Sequence, residues 1–339
     1  MLAIYVTKPG NPDVVQVRET APPELADGQA LVKVKAAGIN YAEIVIRRGL
    51  YPDAPRFPFV PGYEFAGVVE NTRNACKIKP GDRVLGIKMF GCQAEYVAVE
   101  ENQLFSIPAN MDFLQAAAIP VNYLTAHFAV FRLGNLRDSQ KVLIHSCAGG
   151  VGTAATQLAL TRKAEVFGTT SSEEKADYLK KIGVRHPIVY TREDFSETVR
   201  RISPGGVDLV LDPVGGPTFR KSFNLLAGGG RIICYGVADL TAGGRRNIPR
   251  LIWKFLTLPR LSVLNLIQNN RGVIGLALNR LLRDADEVGK VMIELIRLYG
   301  EGAIRLEIGR VYDFREADKA HQYLESGRST GKLILNFDK

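Results

Sequence analysis

The sequence predicts an α/β protein of two domains: a β-rich antiparallel domain and a doubly wound parallel-sheet domain. Three observations lead there. Before about residue 120, short alternating runs are broken by turn residues. From Lys141 onward, apolar strands alternate with helix-period runs of about 10 to 15 residues. At the first strand-to-helix junction, Ile144 to Leu160 reads IHSCAGGVGTAATQLAL. It places Gly149, Gly150 and Gly152 where glycine would otherwise weaken both elements.

The chain's 339 residues suit two domains. A chain of that size buries roughly 75% of its unfolded surface and needs no covalent staples. Cys76, Cys92, Cys147 and Cys234 lie far apart, without the spacing of a disulfide scaffold or a zinc site. They read as reduced thiols of a cytoplasmic protein. The start, MLAIYVTKPG, lacks the basic region of a secretory leader. No apolar run approaches the roughly 20 residues that cross a bilayer. Lys and Arg total 44 against 35 Asp and Glu, a net charge of +9. Such a balance attracts nucleic acid, an anionic membrane or a phosphorylated cofactor.

In chain order, QALVKVKAAGI, GYEFAGVVE, GDRVLGI and EYVAVE read as strands of the first domain. KVLIHS is a continuous apolar strand suited to burial on both faces, and VGTAATQLALTR has helical spacing. AEVFGTT is the next strand. SSEEKADYLKKIG is the next helix, with Ser171 and Glu174 as a capping box and Gly183 as its stop. HPIVY, REDFSETVRRI, VDLVLD, PTFRKSFNLL and GRIICYG continue the alternation. After Asp284, ADEVGKVMIELIRLYGEG and DFREADKAHQYLESG read as helical runs before a closing strand, GKLILNF. That strand needs a sheet to join, so the tail is expected to return to the first domain.

A strand, a glycine turn and a helix together make a diphosphate site, because the helix N-terminus offers free N–H groups and the positive end of its dipole. Gly149 would let the backbone approach the phosphates, and Gly152 would let the helix pack closely on the strand. Cys147 stands where a strict G-x-G-x-x-G has its first glycine. It should fit as a small side chain and could make the loop sensitive to thiol reagents. About 20 residues past the glycines, NAD sites place a carboxylate on the ribose hydroxyl. Here that place holds Thr169, Thr170, Ser171 and Ser172, with Lys175 soon after. NADPH is therefore the expected cofactor.

AGINYAEIVIRRGLY, VPGYEFAGVVE, KPGDRVLG, CAGGVGTAATQLA, DPVGG and TGKLILNF together resemble the medium-chain dehydrogenase/reductase superfamily, in particular its zinc-independent quinone oxidoreductases. The stretch from Tyr235 to Leu281 is similar to that group's vesicle amine transport branch. The resemblance implies a GroES-like domain over 1–121, completed by 274–339, and a Rossmann NADPH-binding domain over 122–273. It also implies an active-site cleft between them and a homodimer. It puts the 2′-phosphate contacts on Lys175 and Tyr190, and nicotinamide and pocket contacts on Asn40, Tyr51 and Thr125. Further cofactor contacts fall on Gly149, Gly150, Val151, Gly152, Thr169, Ser171, Gly236, Val237 and Ala238. Zinc-dependent relatives have Cys where this chain has Asn40 and His where it has Tyr63. Their structural-zinc lobe would follow KMFG, which here runs straight on. No metal is expected.

Without zinc, an alcohol–ketone reaction is unfavourable, because alkoxide charge develops in one place. Quinones and α,β-unsaturated carbonyls are easier, since charge spreads to an oxygen that hydrogen bonds can stabilise. Tyr51 could donate to that oxygen, Asn40 could orient the nicotinamide ribose or the substrate, and Tyr41 could simply pack. His127, His145, His186 and His321 lie apart in sequence; His145, in mid-strand, is expected to be buried and satisfied.

From Leu240 to Arg283 no acidic residue occurs, while Arg245, Arg246, Arg250, Lys254, Arg260, Arg271, Arg280 and Arg283 do. Ile248, Leu251, Ile252, Phe255 and Leu256 follow helical spacing within it. This stripe either packs on protein or brings 245–260 to an anionic membrane surface. The expected function is therefore an NADPH-dependent enzyme reducing quinones or enones or, alternatively, an NADPH-binding peripheral membrane or adaptor protein with little turnover. Nucleic acid is not an expected partner, for no recognition motif accompanies the charge.

Overall fold

The computed structural model describes residues 1–51, 53–74, 77–241 and 262–338. Cys76 and the basic segment 245–260 lie outside the described residues. The chain divides into two compact units, Met1–Leu124 with Asn279–Lys339, and Thr125–Leu278. The resemblance implied breaks after 121 and 273, so the observed ones fall slightly later.

The first unit opens with a hairpin of β1 (Leu2–Val6) and β2 (Val15–Glu19). Its main sheet uses β3 (Gln29–Ile39), β4 (Glu64–Thr72), β5 (Arg83–Ile87), β6 (Tyr96–Glu100) and β7 (Leu104–Ser106). Along β3, Ala30, Val32 and Val34 point inward, as strand alternation requires. They pack with Phe65, Val69, Val84, Val97 and Val99 into one core.

The second unit is a six-stranded sheet, parallel throughout. Its strands are β8 (Lys141–Ile144), β9 (Glu165–Thr170), β10 (His186–Val189), β11 (Val207–Asp212), β12 (Leu226–Cys234) and β13 (Gly272–Gly275). Their spatial order is β10-β9-β8-β11-β12-β13. That is the doubly wound order, in which the strand sequence reverses between β8 and β11 and opens a crevice at their carboxyl ends. Leu143, Phe167, Val210 and Ile232 form the core against the helices Phe195–Ile202 and Gly216–Phe223.

The tail strands β14 (Ile308–Asp313) and β15 (Lys332–Asn336) return to the first unit. β15 pairs antiparallel with β3, with Leu333 opposite Ile39. β14 is the exception to the antiparallel expectation, for it lies parallel to β15. One cap differs from the sequence reading. Ser172, not Ser171, caps the Glu173–Lys181 helix, its hydroxyl accepting from the Lys175 N–H at 3.4 Å. Ser171 instead lies just past the end of β9, where its carbonyl accepts from the Thr191 hydroxyl at 3.0 Å.

Candidate active site

In the second unit, the loop after β8 is tied to both neighbouring strands. The His145 N–H donates to Leu211 and the Cys147 N–H to Thr169, at 3.1 and 3.0 Å. Gly149 caps the Gly150–Thr161 helix in an extended conformation. A Cβ on Gly149 would meet nothing nearer than the Ser146 carbonyl at 3.3 Å, so the outer side of this turn is open. Gly152 is the opposite case. Its Cβ would lie 2.5 Å from the Cys147 carbonyl oxygen and 2.6 Å from the Ser146 carbonyl oxygen. Only glycine lets this helix sit so close to the strand. The open turn and the free N–H groups of Gly150, Val151 and Gly152 suit a diphosphate.

Cys147 fits because Gly168 lies opposite; a Cβ there would be 2.8 Å from the sulfur. The thiol is fully buried, 3.2 Å from the Thr156 hydroxyl, and burial pushes its pKa up to about 12. It is therefore a protonated packing group, and the expected thiol sensitivity has no structural basis.

Two more loops border the crevice. Asp212, at the end of β11, accepts from the N–H groups of Val214 and Gly215 at 2.7 and 3.0 Å. The Ala238 N–H donates to the Pro213 carbonyl at 3.0 Å, which seats Gly236, Val237 and Ala238 beside that turn. Val237 is half exposed.

At the tip of β9 the chain gathers several predicted residues. The Tyr190 N–H donates to the Thr170 carbonyl at 3.0 Å, so the turn after β10 lies against the start of the Glu173–Lys181 helix. Ser171, Lys175 and the exposed Tyr190 share this corner. Lys175 is half-buried, and that desolvation lowers its pKa while Glu174 opposes the shift. Thr169 faces inward instead: its hydroxyl meets His145 Nδ1 at 3.0 Å. His145 Nε2 meets the Ser222 hydroxyl at 2.7 Å, and burial lowers the imidazole's pKa to about 3. His145 is thus a neutral, satisfied core residue, as the sequence suggested.

In the first unit, Asn40 precedes the Tyr41–Arg47 helix, and Glu43 reaches back to accept from the Asn40 N–H at 3.0 Å. The Asn40 amide is buried and engaged at both ends. Its Nδ2 donates to Glu64 at 2.8 Å, and its Oδ1 accepts from the Lys332 ammonium at 2.6 Å. Lys332 can only donate, which fixes the amide's orientation. Lys332 also forms an ion pair with Glu64, both buried. The second Glu64 oxygen accepts from the Val121 N–H at 2.7 Å, tying in the Pro120–His127 helix, on which the buried Thr125 lies. The pair sits directly on Gly38, where a Cβ would be 2.3 Å from Glu64 Oε1.

Glu43 receives Gln93 Nε2 at 2.7 Å, and burial raises its carboxyl to a pKa of about 8. At neutral pH it is therefore mostly a neutral acid. Tyr63 is buried nearby with its hydroxyl unpaired and packs against Phe90, ring centroids 5.2 Å apart.

Below the Tyr41–Arg47 helix, the buried Arg47 donates to the Gly10 carbonyl at 3.1 Å and pairs with Glu325. Tyr51 follows this helix. Its phenol is partly buried, and desolvation, with Asp53 adding to it, raises the phenol's pKa. Asp53 accepts from Asn279 at 3.0 Å and pairs with Arg280 at 3.3 Å. Tyr41 is exposed. Asn40 and Tyr51 thus belong to the first unit, and the glycine loop with Lys175 and Tyr190 to the second. Among the described residues, no group of three or more His, Cys, Asp or Glu side chains converges to hold a metal.

Glu43, Glu64, Gln93, Asn122 and Lys332 were not legible as partners. The spacing of Asn40 and Glu43 is a helix-start signal, but nothing local announces a lysine nearly 300 residues away.

Residues 26–109 match the alcohol dehydrogenase GroES-like domain, and residues 182–335 match the family described as zinc-binding dehydrogenase. The chain is 39% identical over 323 residues to the synaptic vesicle membrane protein VAT-1 homolog of Homo sapiens, covering 95% of this chain and 82% of that protein. The crystal structure of the human VAT-1 homolog-like protein superposes with a TM-score of 0.87 at 31% identity, over 100% of this chain and 98% of that one. The Escherichia coli quinone oxidoreductase complexed with NADPH superposes with a TM-score of 0.88 at 28% identity, over 99% of this chain and 100% of that one.

Proposed function

Because the chain belongs to the medium-chain dehydrogenase/reductase superfamily, in its quinone oxidoreductase group and on the VAT-1 branch, we propose that it is a zinc-independent, NADPH-dependent oxidoreductase acting on quinones or α,β-unsaturated carbonyls. The observation that carries this reading is the corner at the tip of β9. The strand's end, Thr169 to Ser172, carries no carboxylate, and the turn that bears Tyr190 is bonded to it through the Tyr190 N–H and the Thr170 carbonyl, with Lys175 three residues further on. The E. coli neighbour's complex with NADPH supports the same cofactor.

Gly149, Gly150, Val151 and Gly152 bind the diphosphate through backbone N–H groups, and Lys175 and Tyr190 hold the 2′-phosphate. Thr125, Ser171, Gly236, Val237 and Ala238 line the rest. When bound, NADPH supplies a hydride. The Tyr51 phenol, protonated at neutral pH and shifted further upward by its partial burial, donates to the carbonyl oxygen on which charge develops. Asn40 has its amide committed to Lys332 and Glu64, so it acts by holding the turn that leads towards Tyr51. No metal is required when the developing charge spreads over a conjugated system.

β13 is the outer strand of its sheet, and Val263, Leu264 and Ile267 are 70%, 69% and 65% exposed. An apolar face of this kind supports the homodimer. Among the described residues no helix is long and apolar enough to cross a membrane. The relatives' names keep a second reading, an NADPH-binding protein seated at a membrane surface, which the basic segment 245–260 would serve. A cytoplasmic protein satisfies either reading.

Calorimetry of Lys175→Ala tests the cofactor assignment. A charge-assisted phosphate contact contributes about 1.5–3 kcal/mol, so NADPH affinity should fall about tenfold or more. NADH affinity should change little. Equal loss for both nucleotides would remove Lys175 from the 2′-phosphate site.

A further inference from the structure

We infer that Arg192 is a further cofactor-discriminating residue, which leaves Glu173 to bind the 2′-phosphate when NADPH enters. The inference rests on the NADPH reading above and names a determinant within the same site.

The turn after β10 is stitched to the tip of β9 at two points. The Tyr190 N–H donates to Thr170, and the Thr191 hydroxyl donates to Ser171, both at 3.0 Å. Arg192 follows directly, its N–H closing the turn onto the Val189 carbonyl at 2.9 Å. Its guanidinium spans to the first residue of the Glu173–Lys181 helix, where Nη1 donates to Glu173 Oε1 at 2.7 Å. Arg192 is thereby held at the corner that Ser171, Lys175 and Tyr190 share.

The side chains of the pair are 70% and 52% exposed. Exposed ion pairs contribute little, so this one is readily exchanged. A phosphate offers more: it carries up to two charges, and its oxygens match the guanidinium fork. Glu173 is already where an anion belongs, at the N-terminus of a helix. With nothing bound, its carboxylate occupies Arg192. A 2′-phosphate competes with Glu173 for the same guanidinium, whereas the plain 2′-hydroxyl of NADH leaves the pair intact. Arg192 also offsets the repulsion that Glu173 would exert on an incoming phosphate.

Dissociation constants for NADPH and NADH, measured calorimetrically on the full chain, test this with Arg192→Gln, Glu173→Gln and the double variant. Both side chains are exposed, so folding should be retained, and circular dichroism checks it. Arg192→Gln should weaken NADPH about tenfold while NADH changes little. Glu173→Gln should tighten NADPH about threefold by removing the competitor. The double variant should bind NADPH better than Arg192→Gln alone. The inference is overturned if Arg192→Gln leaves the NADPH-to-NADH ratio unchanged. It is equally overturned if Glu173→Gln weakens both nucleotides alike, the result of a merely structural contact. A wild-type chain that binds neither nucleotide would overturn the function reading as well.

Discussion

Lys332→Met should lower the stability of the chain by about 3–5 kcal/mol, the usual loss when one partner of a buried ion pair is removed. The ammonium is buried among acceptors: Glu64, the Asn40 Oδ1 at 2.6 Å and the Asn122 Oδ1 at 3.4 Å. Methionine fills similar space but donates nothing. The Glu64 carboxylate would remain in the core with only the Asn40 amide and the Val121 N–H, and two side-chain carbonyl oxygens would lose their donor. No water path compensates easily, since Glu64 and Lys332 are 0% and 3% exposed. Lys332→Met with Glu64→Leu should recover much of the loss, because an apolar pair of similar volume carries no buried charge. The urea midpoint reads both outcomes. A single variant within 1 kcal/mol of wild type would show that the pair does not organise this unit.

Gly152→Ala should damage the nucleotide loop and the fold together. The new methyl would meet the Cys147 carbonyl oxygen at 2.5 Å and its Cα at 2.6 Å. Those are backbone atoms, and they cannot rotate away as a side chain could. The loop is anchored by the Cys147 N–H on Thr169 and by a sulfur with no exposed surface. The helix must therefore shift outward, taking its N–H groups off the diphosphate position. Overpacking of this kind costs about 1–3 kcal/mol, and NADPH affinity should fall by roughly the tenfold that each 1.4 kcal/mol brings. Gly149→Ala is the contrast. Its methyl faces only the Ser146 carbonyl oxygen at 3.3 Å, so the melting temperature should stay near wild type while nucleotide affinity still falls. Thermal melts and calorimetry on the two variants separate packing from ligand approach. A Gly152→Ala protein that melts and binds like wild type would contradict the close-approach argument.

Much of the second unit was legible because its signals are local. KVLI, EVFGTT and VDLVLD are apolar runs of strand length, and the glycines after Ile144 mark where strand becomes helix. The misses there are small in scale. The cap moved from Ser171 to Ser172, and GVIG at 272–275, with two glycines in four residues, formed an edge strand that periodicity does not announce. The first unit hid more. Asn40 was picked for its place in a motif, yet its amide turned out to serve a buried cluster. That cluster is assembled from β4, β15 and two helix starts, so its partners lie 24 and 292 positions apart. Composition and spacing carry no trace of such pairing, which exists only once β15 has docked on β3. Cys147 shows the same limit: its place in the glycine loop suggested reactivity, and Gly168 on the neighbouring strand makes it a packing residue.

The central claim is that this fold delivers hydride from NADPH to a conjugated carbonyl without a metal. Its most direct test follows nicotinamide absorbance while the purified chain is mixed with NADPH and a panel of quinones and enones, with and without a metal chelator. The expected result is oxidation of NADPH by at least one acceptor class, slower with NADH and unchanged by the chelator. A folded chain that binds NADPH yet oxidises it with no member of the panel would contradict the claim and favour the membrane-surface reading. Oxidation that stops when metal is removed would contradict it too.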